Sequence, residues 1–147
     1  MRASRKPSRG SERSREPAPQ HAVECSAASD HLDAVHDTLA RFWPGVEGSP
    51  DDRWRMLFEV AVSEIAANIV EHAHPPVMHI RLSAHPARIV AEFTDTGHTW
   101  EAPPEPIGLL DEMAERGRGL TLARTACDEV TYERAGSVNH WRLVKRL

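Results

Sequence analysis

Ser63-Glu64-Ile65-Ala66-Ala67-Asn68-Ile69-Val70-Glu71-His72-Ala73 decides how this chain is read. Trp54, Phe58, Ala61, Ile65, Ile69 and His72 recur at helical spacing, which marks an amphipathic helix with one buried stripe. At about 100° per residue, Asn68 falls beside Ile65 and His72, and Glu64 lies one turn earlier along the same edge. An acid and an amide facing inward need partners, because unpaired polar burial costs roughly 1–3 kcal/mol per group. Water or nearby backbone can satisfy them, or a magnesium ion and phosphates can complete them. The period alone admits either answer.

Working outward, Ser49-Pro50-Asp51 starts this helix, with proline near its first position and acids in its first turn, and Pro75-Pro76 stops it after Ala73. Upstream, His21 to Cys25 forms a short strand. A helix follows, capped by Ser29 or Asp30, with Leu32, Val35, Leu39 and Phe42 as its stripe. Downstream, Val77 to Ser83 and Arg88 to Asp95 alternate apolar and polar residues about His85-Pro86-Ala87, which predicts a hairpin. Gly97 to Pro106 reads as a loop and Ile107 to Glu115 as a mobile helical turn. Gly117-Arg118-Gly119 opens a helix that runs to about Ala126. Val130 to Arg134 and Val138 to Leu147 close the chain as a second hairpin around Ala135-Gly136-Ser137. This order predicts an α+β two-layer sandwich, with a mixed, mostly antiparallel sheet and helices packed on one face.

Two more sites stand out. Asp95 continues the face of Ile89, Ala91 and Phe93, since residues two apart share a face of a strand. Its carboxylate either starts the Asp95-Thr96-Gly97 turn or accepts a hydrogen bond from an exocyclic amine, such as that of adenine, in a flat apolar pocket. In the second case Gly97 lets backbone pass close to the base. Gly117-x-Gly119-Leu120 at a helix start is either a simple loop-to-helix transition or an anion site, with Arg118 as an added cation.

The order of these elements is more specific than any one of them. A helix with E-x-x-x-N, a strand ending in Phe93-Thr94-Asp95-Thr96-Gly97, a Pro/Gly loop, Glu115-Arg116-Gly117-Arg118-Gly119-Leu120 and a hairpin with Gly136-Ser137 follow one another. Over about residues 21–147 the chain resembles the GHKL ATPase superfamily, with its Bergerat-type nucleotide fold. Within it, the short build looks like the bacterial anti-sigma-factor serine/threonine kinases, the RsbW-like branch. The resemblance implies ATP and magnesium as cofactors. It implies Asn68 as the magnesium ligand, Glu64 as the catalytic acid/base and Asp95 as the partner of the adenine amine. It further implies Gly97 in the base pocket, Gly117, Arg118, Gly119 and Leu120 in the lid and phosphate region, Ser137 near the adenine end, and His72 near the nucleotide. Partners implied by the same likeness are a sigma factor, a STAS-type anti-anti-sigma protein phosphorylated on serine, and a second copy of the chain in a homodimer. The chain departs from the family's D-x-G-x-G at Thr99, and its lid between Gly97 and Gly117 is short. A non-catalytic ATP-binding module of the same fold, which controls a partner by binding, is the alternative.

Composition narrows the rest. The 147 residues suit one domain. Residues 1–20 carry six basic against two acidic side chains, net +4, which leaves about −8 on residues 21–147 of a chain with a total of −4. That Ser/Arg/Pro-rich tail has little to bury and is expected to be disordered, with 21–147 as the kinase domain. An acidic body argues against direct nucleic-acid binding. No secretory pattern and no long apolar run is present, so no membrane span is expected. Cys25 and Cys127 lack metal or redox spacing and suit a reducing cytoplasm. Nine histidines scatter over different elements, and Glu71-His72-Ala73-His74 lacks the i, i+4 pair of a zinc protease. A histidine-kinase catalytic domain would require a dimerisation helix pair with a phospho-accepting histidine ahead of the first strand, where only the polar tail stands.

Overall fold

A computed structural model describes residues 16–101 and 114–147. Its elements are β1 (His21–Ala27), α1 (His31–Phe42), a 3-10 turn (Trp43–Gly45), α2 (Asp52–Ala73), β2 (Met78–His85), β3 (Arg88–Asp95), α3 (Ala114–Ala126), β4 (Glu129–Ala135) and β5 (Val138–Arg146). The strands form one sheet in the order β1-β2-β3-β5-β4. Every pairing among the described residues is antiparallel, which corrects the mixed sheet expected above. Two-residue turns at 86–87 and 136–137 make the β2–β3 and β4–β5 pairs antiparallel hairpins. The β1–β2 pair, joined through α1 and α2, and the β3–β5 pair, joined through α3 and β4, run antiparallel as well. β5 then pairs with β3 and leaves β4 on the edge.

The helices bury their stripes on one face of the sheet. From α1 come Val35, Leu39 and Phe42. From α2 come Phe58, Ala61, Val62, Ile65, Ala66, Ile69 and Ala73, all buried. The sheet answers with Ile80, Leu82, Ile89, Ala91, Phe93, Trp141 and Leu143. Burying each large aliphatic or aromatic side chain contributes about 1.5–3 kcal/mol before chain entropy is subtracted. α2 begins where Asp51 accepts a hydrogen bond from the Trp54 N–H at 2.8 Å, a cap worth about 1 kcal/mol. It ends at His74, which is left-handed with φ 46°. The two prolines that follow cannot continue a helix. This ending matters for the site. The freed Ala73 carbonyl accepts from the His98 N–H at 2.8 Å, which docks the loop after β3 onto the end of α2.

Several boundaries shift. Trp54 is half-buried rather than core, with its ring packed on Phe58 and its indole N–H on the Arg146 carbonyl at 2.9 Å. α3 starts at Ala114, so Gly117 and Gly119 lie inside a helix instead of opening one. Ala114, Glu115 and Arg116 are good helix formers, and they carry the helix across two glycines that each cost about 1 kcal/mol. The expected tail divides as well. Residues 1–15 lie outside the described residues, as do 102–113, which hold most of the expected helical turn. Glu16 is placed, on the sheet face away from the helices. Its carboxylate accepts from Arg88 at 2.9 Å and from Arg142 at 2.8 Å. No helix among the described residues is long and apolar enough to cross a membrane.

Candidate functional site

The site starts from the edge of α2. Glu64 and Asn68 sit one turn apart, about 6 Å along the axis, and both are half-buried. Their edge faces α3. A β-carbon built on Gly119 would lie 2.5 Å from Glu64 Oε2, so the two helices approach closely because residue 119 lacks a side chain. The Asn68 amide nitrogen is buried without a hydrogen-bond partner. Left alone, such a group costs about 1–3 kcal/mol. No backbone or side-chain acceptor among the described residues satisfies this amide nitrogen.

The second half of the site lies about a turn and a half further along α2. Asp95 ends β3 and is only 2% exposed. Its Oδ1 accepts from the Gly97 N–H at 2.8 Å and from the Asn139 side-chain amide at 3.0 Å. Its Oδ2 is buried and has no partner. The turn reading of Asp95 holds through Oδ1, and Oδ2 is a second, buried acceptor to which no described residue donates. Gly97 presses on the end of α2, where an added β-carbon would overlap the Ala73 carbonyl. That contact brings Asp95 to the same helix that carries Asn68 and Glu64.

Asn139 escaped the sequence reading and is the hub of this end. It is 1% exposed and pairs with Asp95 in the β3–β5 register. Its amide nitrogen donates to Asp95 Oδ1, to the His98 carbonyl at 2.9 Å and to the Gly97 carbonyl at 3.3 Å. Its Oδ1 accepts from the Tyr132 hydroxyl at 2.6 Å and from Arg134 at 2.8 Å. A signal was present: Asn139, Trp141 and Leu143 alternate as Asp95, Phe93 and Ala91 do, so each apolar row ends in a polar residue.

The other expected residues fall as follows. Leu120 is half-buried against the core. Gly117 and Arg118 lie in the first turns of α3, and the Arg118 side chain lies outside the described residues. His72 is exposed although the helical period puts it on the buried stripe; period sets the direction of a side chain but not what covers it. Ser137 is exposed in the β4–β5 turn, and Asn139, two residues on, holds Asp95 in its place. A concavity of about 430 Å³ opens beside Gly97, between His74 and Pro76 at the end of α2 and Arg134 of β4. Asp95, Asn139, Asn68 and Glu64 do not line it; Glu64 is overlain by Gly119 of α3.

Electrostatics outside the site are ordinary in kind. Burial, ahead of the nearby Arg88 charge, holds His85 below the usual histidine range. Burial pushes the Cys127 thiol up to about 11. Among the described residues no group of three or more His, Cys, Asp or Glu side chains is placed to hold a metal ion. A metal here would rest on the Asn68 side-chain oxygen; the buried, unpartnered Asn68 nitrogen is a donor, which suits a phosphate oxygen and not a cation. A magnesium ion keeps most of its waters and needs one or two protein ligands.

Comparison with curated proteins returns no match. Comparison with family models matches residues 25–145 to the histidine kinase-like ATPase domain. The match takes in Glu64, Asn68, Asp95, Gly119 and Asn139 together, and the chain belongs to that family, a branch of the GHKL superfamily whose fold binds ATP.

Proposed function

We propose that the chain is an ATP-dependent serine kinase of the anti-sigma-factor type. It would hold a sigma factor when free of its antagonist, and phosphorylate a serine on a STAS-type anti-anti-sigma protein. The observation that carries the nucleotide half of this reading is Asp95. A buried carboxylate with one oxygen committed and the other unpartnered is matched to an exocyclic amine, as on adenine. A hydrogen bond to such a charged acceptor is worth about 1.5–3 kcal/mol.

The chemistry follows from the spacing along α2. With the base at Asp95, the phosphates run toward Asn68 and Glu64. Asn68 would hold the magnesium ion, which supplies charge neutralisation at the phosphate oxygens. The serine oxygen attacks the γ-phosphorus, the bond to the β-phosphate oxygen breaks, and ADP leaves. Glu64 accepts the serine proton as the new bond forms. Positioning supplies most of the acceleration, since phosphoryl transfer asks little covalent help of the protein. Glu64 lies one turn from Asn68 and is partly buried against α3, and its proximity to Asn68 supports its reading as the proton acceptor.

The test is incubation with γ-labelled ATP, magnesium and candidate antagonist proteins. Labelled serine on one of them supports the proposal. Glu64→Gln should bind ATP within about threefold of wild type and lose label transfer by 100-fold or more. Tight ATP binding with no acceptor labelled would favour a module that uses ATP to shape a protein-binding surface. Co-purification of a sigma factor and a dimeric mass by light scattering test the partner side.

A further inference from the structure

We infer that Asn139 is a positioning residue that aims the free oxygen of Asp95 and thereby sets the choice of 6-amino over 6-oxo purines. The inference rests on the nucleotide site proposed above and adds a determinant that lies outside the nucleotide's own contacts. Asn139 is 1% exposed, and both ends of its amide are consumed by protein. It has nothing left to offer a ligand, so its effect must pass through what it holds.

What it holds is specific. A carboxylate on a short side chain can turn about its last torsion, a broad and weakly barred rotation. Two donors on Oδ1, from Gly97 and Asn139, stop that rotation and leave Oδ2 as the one free acceptor. The same amide ties the Gly97 and His98 carbonyls, so the loop and the carboxylate move as one. Orientation of the amide is itself imposed. Tyr132 and Arg134 donate to its oxygen, which forces the nitrogen toward Asp95. The Tyr132 hydroxyl also accepts from the Trp100 N–H at 3.1 Å, which extends the clamp to the loop that leaves the site. A fixed acceptor pairs with an amine at purine C6 and is repelled by a carbonyl there. A rotating one discriminates less, because an acceptor aimed elsewhere neither rewards the amine nor penalises the carbonyl.

The test compares wild type, Asn139→Ala and Asn139→Asp by calorimetric binding of ATP and ITP, with thermal melts to check folding. Asn139→Ala should weaken ATP about ten- to a hundredfold while ITP changes little, so the ATP/ITP ratio collapses. Asn139→Asp preserves shape and the acceptor for Tyr132 and Arg134 but sets two carboxylates against each other. Arg134 of β4 and Tyr132 face this pair, and the His74 and His98 rings stand beside the loop. One carboxyl then binds a proton more readily than usual, and its O–H replaces the lost donor on Asp95. ATP affinity of Asn139→Asp should therefore rise at least fivefold from pH 8 to pH 6, against a smaller change in wild type. A variant that loses ATP and ITP equally, or an Asn139→Asp profile parallel to wild type, overturns the inference and makes Asn139 a purely structural residue. Wild type that binds ATP beside variants of unchanged ratio sinks this inference alone. Wild type that binds no adenine nucleotide sinks the site reading with it.

Discussion

Replacing Gly119 with alanine should separate stability from chemistry. A β-carbon there would stand 2.5 Å from Glu64 Oε2, 3.5 Å from its Cδ and 3.7 Å from its Cβ. The stem contacts are ordinary; the oxygen contact is not. The carboxylate oxygen must retreat by about 0.5–1 Å, which its weakly barred terminal torsion allows at little cost. Against that, alanine inside a helix is better than glycine by about 1 kcal/mol. The sum favours the variant by about 0–1 kcal/mol, or an unfolding midpoint unchanged to about 4 °C higher. Chemistry responds in the opposite direction. A displacement of about 1 Å in a catalytic group can cost a hundredfold, so phosphotransfer or ATP turnover should fall by one to two orders of magnitude. ATP affinity should hold within a few-fold, because Asp95 lies at the other end of α2. Differential scanning calorimetry, ATP titration and turnover on the same preparation read all three. A midpoint lowered by more than a few degrees would mean that the α2–α3 contact cannot yield at a side-chain tip. Unchanged turnover would mean that Glu64 is not the proton acceptor.

Gly97→Ala meets backbone instead, since its β-carbon would overlap the Ala73 carbonyl and lie 2.9 Å from the Ala73 β-carbon. Neither can swing aside, so chemical denaturation should show a loss of about 1–3 kcal/mol, together with weakened ATP binding. Asp95→Asn keeps the shape and removes the charge; ATP affinity should fall about tenfold or more by calorimetry, with the melting midpoint within a few degrees of wild type. Cys127 gives a pH test. Its folded-state thiol ionises near 11, above the unfolded value, so the unfolded chain loses its proton first as pH rises. The contribution is fully present below pH 9 and is lost through pH 11, by about 1–3 kcal/mol. Urea titrations at pH 8 and pH 10.5 should show that loss in wild type and a smaller one in Cys127→Ala.

The long helix, both hairpins and the Asp95 end of β3 were legible from the chain alone. Period 3.6 and period 2 follow from backbone geometry, and Pro75-Pro76 or a two-residue turn stops an element wherever the fold places it. Hence Asp52–Ala73 and Arg88–Asp95 stand within a residue of where the pattern puts them. Glu64, Asn68 and Asp95 were visible because each breaks an apolar row. Three features were not legible. Whether the Asp95 carboxylate had a spare oxygen depended on β5 lying beside β3, with Asn139 opposite, 44 residues away. Whether Gly119 marked a helix start or a close approach depended on α3 lying against Glu64. Whether His72 was covered depended on what packs over the last turn of α2. Local sequence sets the direction in which a side chain leaves its own backbone. The partner it meets there comes from a distant segment, and sheet order and helix packing, settled by the folding of the whole chain, choose that partner.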